Sequence, residues 1–190
     1  DEVNPFIGTS NFGTTNPGAV VPNGLMSITP FNVSGSPELN KFDKDKRWWS
    51  TPYTADNKFF SGFSHVNLSG VGCPELGSII VSASAGDLDV DYTHYGSAMS
   101  EEKAHPGYYS VQLDKHKIKA EVTATQRTAV SAFTFERGGK SNILVNLGLG
   151  LTNESGATVR FLNDSTIVGS KLMGTFCYAP QAVFNQYFAI

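Results

Sequence analysis

Two adjacent tryptophans carry the most specific chemical signal in the sequence. Trp48 and Trp49 directly follow the charged run Lys44–Arg47. Flat aromatic faces stack on the C–H face of a pyranose ring, while charged groups bind its hydroxyls. The stretch 41–77, which contains these residues, therefore favours a carbohydrate site. Packing in the core or at its rim is the competing explanation for either tryptophan.

Two glycine-rich loops offer backbone N–H groups that a ligand could approach. The loop 8–18 surrounds the aromatic Phe12 and lacks the GxxxxGK[ST] spacing of a phosphate-binding loop. It can line a sugar pocket or form an ordinary N-terminal turn. The loop 67–77 contains Ser69 outside any G-x-S-x-G elbow, and Cys73 without electropositive neighbours. A packing role is therefore predicted for this second loop, rather than a nucleophile.

No pair of carboxylates is marked as a general acid and base. Glycoside hydrolysis requires two carboxyl groups about 5–10 Å apart. The candidates by residue type are Asp43, Asp45, Glu75, Glu101 and Glu102. None has a sequence context that distinguishes it, so no catalytic residue is assigned.

Metal ligation is not predicted either. Asp87, Asp89 and Asp91 alternate along the chain without the spacing of an EF-hand, which predicts a solvated edge strand rather than a calcium site. The histidines at 65, 94, 105 and 116 have no metal-binding spacing. His116 is expected to be exposed in a hairpin turn.

Composition predicts one globular domain over residues 1–190. Apolar residues make up 40% and charged residues 16% of the chain, which is enough apolar material for a β-sandwich core. The net charge of −3 gives no electrostatic reason to expect nucleic acid or an anionic membrane as a partner. No apolar run reaches the ~20 residues of a membrane span. No signal peptide is recognisable, so any secretion signal has been removed or lies outside the sequence.

The cysteines and the glycosylation sequons leave the cellular compartment open. Cys73 and Cys177 can pair in an oxidising compartment or remain two small buried thiols, and the second alternative is favoured. Four Asn-x-Ser sequons begin at Asn32, Asn67, Asn153 and Asn163. They have meaning only in a eukaryotic secretory pathway.

Short alternating segments indicate antiparallel strands. The clearest is a meander over 108–135, in which apolar residues alternate on both sides of a turn at 114–116. Further strands are predicted at 25–31, 59–65, 78–84, 141–147, 166–176 and 184–190. In 78–84, Ile79, Val81 and Ala83 share one face and Ile80 lies opposite. The run 141–147 is predicted to be a central strand covered on both faces.

The strand spacing of about 8–12 residues, with turn residues between, predicts an all-β antiparallel sandwich. The last segment, 184–190, stops inside a strand pattern. The sequence is therefore expected to be a piece of a longer polypeptide.

Four motifs resemble one family of glycosidases. They are NPFIGT at 4–9, PGAVVPNG at 17–24, WWSTPY at 48–53 and GFSHVNLSGVGCPELG at 62–77. Together with HPGYYSV at 105–111 and NILVNLG at 142–148, they are similar to the N-terminal domain of the bacterial calcium-dependent exo-α-mannosidases, glycoside hydrolase family 92. Two departures are Asn23, where many members have Phe, and Val66-Asn67, where many have Thr-His.

The resemblance implies a supersandwich-type β domain followed by a C-terminal (α/α)6 barrel, with the active site at their junction. Such enzymes remove terminal α-linked mannose, often α-1,2 and including that of N-glycans, with inversion of configuration. The acid, the base and the Ca²⁺ ligands would come from the C-terminal domain, so this segment alone would be inactive. The site residues carried over as substrate contacts are Trp49, Trp48, Arg47, Phe12, Gly13 and Cys73. A bacterial periplasmic or cell-surface location follows from the same resemblance.

Two alternatives remain open at the level of sequence. A free-standing carbohydrate-binding module would bind mannose by itself. A purely structural sandwich would not use its tryptophans for sugar at all.

Overall fold

The described residues of the computed structural model are 2–11, 13–34, 50–70, 72–73, 76–151, 154–174, 179 and 181–190. They form thirteen strands and one single-turn helix, α1 (Tyr92–Tyr95). The strands are β1 (Ala19–Val20), β2 (Ser27–Phe31), β3 (Phe59–Phe60), β4 (Gly62–Asn67), β5 (Leu76–Ala85), β6 (Ser97–His105), β7 (Tyr108–Leu113), β8 (Ile118–Ala124), β9 (Ala129–Phe135), β10 (Ser141–Asn146), β11 (Glu154–Asn163), β12 (Thr166–Met173) and β13 (Phe184–Ala189).

Two five-stranded antiparallel sheets enclose the main core. The first has the order β1-β2-β4-β5-β10 and the second the order β3-β6-β7-β8-β9. One apolar cluster contains residues of both sheets. At its centre Phe63 of β4 packs edge-on against Phe60, at 4.8 Å between ring centroids, and against Tyr109 of β7, at 6.1 Å. Burying one such ring contributes roughly 1.5–3 kcal/mol, and the predicted all-β sandwich is confirmed.

The meander predicted over 108–135 is confirmed as β7, β8 and β9. Its register pairs Tyr109 with Val122 and Ala120 with Phe133. Along β8 the residues with buried side chains, Ile118, Ala120, Val122 and Ala124, alternate with more accessible ones. Alternation predicted β8 correctly because its apolar residues lie on the buried face and its polar residues on the more accessible one.

Strand β5 is buried on both faces. Ala83 belongs to the main cluster, whereas Ile80 packs in a second cluster with Phe31, Leu149 and other residues. The prediction that Ile80 lies opposite Ala83 is confirmed. The central position predicted for the run 141–147 is wrong, because β10 lies at the end of the described sheet and pairs with β5 alone. Ile143 is 56% exposed there.

The aspartate-rich segment 87–91 is not the edge strand that its alternation predicted. It leads into α1, where Asp91 is the N-cap and its Oδ1 accepts a 2.9 Å hydrogen bond from the Thr93 N–H. The preference of aspartate for N-caps explains this outcome. Strands β6 and β11 were missed because the glutamates of β6, and the Gly, Arg and Asn of β11, interrupt the apolar alternation.

His116 was expected to be exposed, and this is wrong. Its side chain is partly buried, with Nδ1 3.4 Å from the Ala85 N–H that donates to it. Nε2 lies 2.7 Å from the carbonyl oxygen of Tyr95. The ring therefore bridges β5 and the end of α1.

A third, three-stranded sheet has the order β11-β12-β13. Its exposed side chains include Phe161 and Tyr187. The hydroxyl of Ser78 on β5 hydrogen-bonds Gln186 of β13, which ties the third sheet to the first. Among the helices that the described ranges contain, none has the length and apolarity needed to cross a membrane.

His65 on β4 gives the fold a pH dependence. Burial lowers the pKa of His65, although its 2.6 Å hydrogen bond to the carbonyl of Ile79 opposes the shift. A histidine with a lowered folded pKa contributes stability that is complete above its unfolded pKa, about 6.5. That stability is lost as pH falls from there towards the folded pKa, because the unfolded chain binds the proton more readily.

We therefore expect the melting temperature of the chain to fall between about pH 7.5 and pH 5, and to fall less in His65→Gln. Calorimetric melting across this range measures the effect. The control is His105→Gln, which changes an exposed histidine. An equal fall in His65→Gln and in the unsubstituted chain would contradict the assignment.

Candidate functional site

Three loops converge at one place in the fold. They are the N-terminal loop 8–18, the segment 50–58 that follows the tryptophans, and the loop that leaves β4. The hydrogen bonds that join them are Ala55 N–H to Thr9 O (2.8 Å), Asn11 N–H to Asp56 Oδ2 (3.3 Å) and Gly70 N–H to Thr14 O (2.8 Å). Sequence reasoning singled out these loops separately, and the structure brings them together.

The N-terminal loop is folded tightly on itself. The N–H of Gly13 donates to Ser10 O at 2.8 Å, and the hydroxyl of Thr15 donates to Ile7 O at 2.7 Å. A Cβ atom built on Gly13 would lie only 1.8 Å from the carbonyl oxygen of Gly8. Gly13 is thus required for a close backbone approach, and it is the one carried-over residue of this loop that the structure describes.

The segment 50–58 is anchored by side chains of both sheets. The amide of Asn32, at the end of β2, bonds the backbone of Thr54 at 2.7 and 2.8 Å. The hydroxyl of Tyr53 donates to Glu102 Oε2 on β6 at 2.8 Å, as does the hydroxyl of Tyr109 on β7, also at 2.8 Å. Burial, reinforced by the charge of Glu102, raises the pKa of both tyrosines, so they remain protonated donors.

The carboxylate of Glu102 therefore has a structural role. Its side chain is 8% exposed, and Lys58 Nζ pairs with its second carboxylate oxygen. Of the other candidate carboxylates, Glu101 lies at the surface of β6, and Asp43, Asp45 and Glu75 lie outside the described residues. Of the five candidates by residue type, the structure therefore describes two, and Glu102 is one whose carboxylate is already bound by protein groups.

Cys73 corrects one expectation from sequence. It is disulfide-bonded, so the preference for two buried thiols is wrong. The only other cysteine of the sequence, Cys177, lies outside the described residues. Local spacing could not reveal this bond, because a disulfide depends on a Cα separation of about 4.4–6.8 Å that the tertiary fold sets. A disulfide is typical of an oxidising compartment.

A thiol–imidazole pair of Cys73 and His65 is also excluded. The cysteine carries no free thiol, and His65 Nδ1 is bonded to the carbonyl of Ile79. The role of Cys73 as a pocket-lining residue stays a prediction. A disulfide sulfur atom is compatible with that role, because it does not require a free thiol.

Four of the six carried-over residues fall outside the described ranges. Arg47, Trp48, Trp49 and Phe12 belong to this group, and their roles stay predictions. The two that are described, Gly13 and Cys73, lie on two of the three converging loops. Within the described ranges, no group of three or more His, Cys, Asp or Glu could hold a metal ion.

The sequence did not indicate which residues anchor the segment 50–58. Asn32 was noted only as the start of a sequon and Glu102 only as one of five candidate carboxylates, whereas Asn57 was not singled out. Only the positions of two of these residues could have directed attention to them. Asn57 lies within the stretch 41–77, and Asn32 lies shortly before it.

Comparison with known proteins identifies relatives of the whole segment. Residues 2–190 match the model of the glycosyl hydrolase family 92 N-terminal domain. An uncharacterized secreted glycosidase of Arthroderma benhamiae is 29% identical over 157 residues. That alignment covers 75% of this chain and 19% of the fungal protein.

Solved structures agree with the sequence comparison. The family GH92 α-mannosidase BT3965 of Bacteroides thetaiotaomicron superposes with a TM-score of 0.84 at 29% identity, over 98% of this chain and 25% of that chain. Its complex with mannoimidazole gives 0.83 at 30% identity, over 98% and 24%. The GH92 family glycosyl hydrolase ccman5 gives 0.74 at 27%, over 98% and 25%. The chain thus spans about a quarter of the length of these solved relatives.

Replacing Gly13 tests the tight N-terminal loop. In Gly13→Ala the added methyl group would meet the Gly8 carbonyl, so we expect a loss of about 1–3 kcal/mol in the free energy of unfolding. Urea denaturation of the chain measures it.

Gly72→Ala is the matched control on the third converging loop, since a Cβ there has no atom within 4 Å. We expect the control to change stability by no more than about 0.5 kcal/mol. Equal effects of the two substitutions would contradict the close-packing argument.

Proposed function

Because the chain belongs to the glycosyl hydrolase family 92 N-terminal domain family, we propose that it is the β-sandwich part of an exo-acting α-mannosidase. In this proposal the loop end of the sandwich forms part of the pocket that receives a terminal mannose. The observation that carries the proposal is the convergence of the loops of Gly13 and Cys73, two of the predicted substrate contacts, with the segment 50–58 that follows the tryptophans.

Mannose recognition at this end would use two kinds of contact. Trp49 or Trp48 would stack on the C–H face of the leaving sugar, and Arg47 would bind hydroxyls. Phe12, Gly13 and Cys73 would line the pocket beside them. Gly13 permits a close backbone approach to Gly8, and a loop folded in this way before the ligand binds would reduce the ordering cost of binding.

The reacting groups would lie elsewhere in the longer protein. An inverting glycosidase needs a general acid and a general base about 6.5–9.5 Å apart, with a water molecule between base and sugar. Glu102, the buried carboxylate among the candidates, is occupied by two tyrosines and a lysine. We accordingly assign acid and base to the C-terminal (α/α)6 barrel, the domain with which this chain would pack.

Calcium is assigned to the same C-terminal domain. When bound there, the ion would contact vicinal hydroxyls of the mannose and favour a distorted ring. The described ranges of this chain contain no group of side chains that fits the ion. The part proposed for this chain is therefore confined to binding and orienting the sugar.

Substrate linkage and location complete the proposal. We favour α-1,2-linked mannose at the ends of oligosaccharides such as N-glycans. The disulfide at Cys73 and the secreted fungal relative support an extracytoplasmic setting. In a bacterium this would be the periplasm or the cell surface.

The tryptophans test the proposal in the longer protein that contains this chain. If one stacks on the leaving sugar, Trp48→Ala or Trp49→Ala should raise KM for an α-1,2-mannobiose about tenfold, equivalent to about 1.4 kcal/mol. Steady-state kinetics measure the change. Tyr187→Ala, which truncates an exposed aromatic residue on the third sheet, is the control and should leave KM unaltered.

The result that would count against the proposal is an unchanged KM in both tryptophan variants. Appreciable turnover of mannobiose by the 190-residue chain alone would show that the acid and base have been misplaced. A third outcome would favour a free-standing carbohydrate-binding module instead. In that case the chain alone would bind mannose saturably without turnover, and the longer protein would have no mannosidase activity.

A further inference from the structure

The third sheet carries an open hollow that is not formed by the three converging loops. It has a volume of about 490 Å³ and is lined by residues of all three strands, β11, β12 and β13. Ligand sites in proteins commonly have volumes of about 300–1,000 Å³. The hollow is therefore large enough to receive a small molecule or one unit of a polymer.

The strand register places the lining side chains on one face of this sheet. Thr158 of β11 pairs with Ser170 of β12, which pairs in turn with Tyr187 of β13. In the next row Arg160 pairs with Val168. Cross-strand partners point to the same side of a sheet, as do residues two positions apart on one strand. We call the face formed by these five residues the Tyr187 face.

The opposite face of the sheet is turned towards the rest of the domain. Gln186, which precedes Tyr187, is hydrogen-bonded by the hydroxyl of Ser78 on β5. Phe188, which follows Tyr187, covers Gly169 on that opposite side, where an added Cβ atom would lie 2.5 Å from the phenylalanine ring. The Tyr187 face therefore points away from the first sheet.

A contrast in side-chain size produces the hollow. Tyr187 on β13 is 76% exposed, and Arg160 on β11 is exposed as well. Between these two long side chains, the central strand β12 contributes only the short side chains of Val168 and Ser170. One side of the tyrosine ring is consequently bordered by open space above the middle of the sheet.

The groups around this space have the chemistry of a saccharide site. The ring of Tyr187 offers a flat apolar surface, on which the C–H face of a pyranose can stack. The hydroxyls of Thr158 and Ser170 lie 2.9 Å apart, and each can still bond a ligand, because a hydroxyl has one donor and two acceptor positions. The guanidinium of Arg160 adds a fork of donors for sugar hydroxyls.

Other ligand classes match this lining less well. Among the described residues that line the hollow, Arg160 is the one with a charge, whereas nucleic acids and polyphosphates are bound by several cations together. An apolar partner would have to cover the guanidinium and the hydroxyls of Thr158, Ser170 and Tyr187, and burying such groups without hydrogen bonds is unfavourable. A saccharide can bond each of them.

We propose that the Tyr187 face is a second saccharide-binding site, which holds a sugar unit of a long or branched substrate without cleaving it. The ligand class follows from the residues of the face, whereas the choice of mannose as the sugar rests on the proposed function. A polymer held at this face and at the pocket together binds more tightly than at either alone, because the second contact is intramolecular.

Affinity electrophoresis of the longer protein, in gels that contain an α-linked mannan, tests the proposal. We expect Tyr187→Ala to weaken the interaction about threefold to tenfold, the range for a lost aromatic contact. Tyr187→Phe keeps the ring and should retain most of the binding. The matched control is Phe161→Ala, which truncates an aromatic residue of similar exposure, 77%, next to Arg160 and on the opposite face. It should bind mannan like the unsubstituted protein.

Kinetics with a short substrate separate this site from the mannose pocket. A site that does not cleave affects KM only for a substrate long enough to reach it, so KM for α-1,2-mannobiose should be the same in Tyr187→Ala and in the unsubstituted protein. Weaker mannan binding with this KM unchanged supports the second site. It does so even if Trp48→Ala and Trp49→Ala leave KM unaltered and the proposed pocket is rejected.

Two results would overturn the second site. Mannan binding by Tyr187→Ala that equals that of Phe161→Ala and of the unsubstituted protein would show that the face holds no sugar, as expected if another part of the longer protein covers it. A rise in KM for mannobiose that matches the loss of mannan binding would place Tyr187 in the pocket itself.

Discussion

The structure depends on satisfying the backbone of a loop that is buried between two sheets. Residues from Ser50 to Thr54 are almost entirely inaccessible, although they form no strand. A buried N–H or C=O group without a partner costs about as much as a lost hydrogen bond. Asn32 resolves this constraint because its amide offers both a donor and an acceptor to the same backbone. An aliphatic residue of similar size could fill the space but could not satisfy these groups.

The hydrogen bonds between Asn32 and the buried segment 50–54 act in addition to the apolar core. Between the sheets, Phe63, Tyr109 and their neighbours provide the non-directional burial that holds the sandwich together. At the loop end the chain instead uses hydrogen bonds from two sheets. The hydroxyl of Tyr109 connects the two regions, since its ring packs in the core and its oxygen reaches Glu102.

In the proposed function the domain contributes to a site without performing the chemistry, and the arrangement of its loops suits that part. The segment 50–58 is anchored on both sheets, which agrees with the general pattern of binding residues carried by loops on a rigid scaffold. The well-buried carboxylate of Glu102 is occupied by tyrosine hydroxyls and a lysine. A group held in this way maintains geometry and is not available to transfer protons to a substrate.

The sequence by itself determined the layered β architecture and the family. Period-two alternation located the meander of β7, β8 and β9, because strands with one wet face record their burial locally. Motifs such as that at 62–77 identified the relatives. Tertiary structure alone decided that β10 lies at the end of the described sheet, that Cys73 is disulfide-bonded, and that the sequon residue Asn32 is a buried anchor. The hydrogen bonds from Asn32 to Thr54 and from Tyr53 to Glu102 span 22 and 49 residues. Partners so far apart leave no trace in local periodicity, since their meeting depends on how the sheets pack.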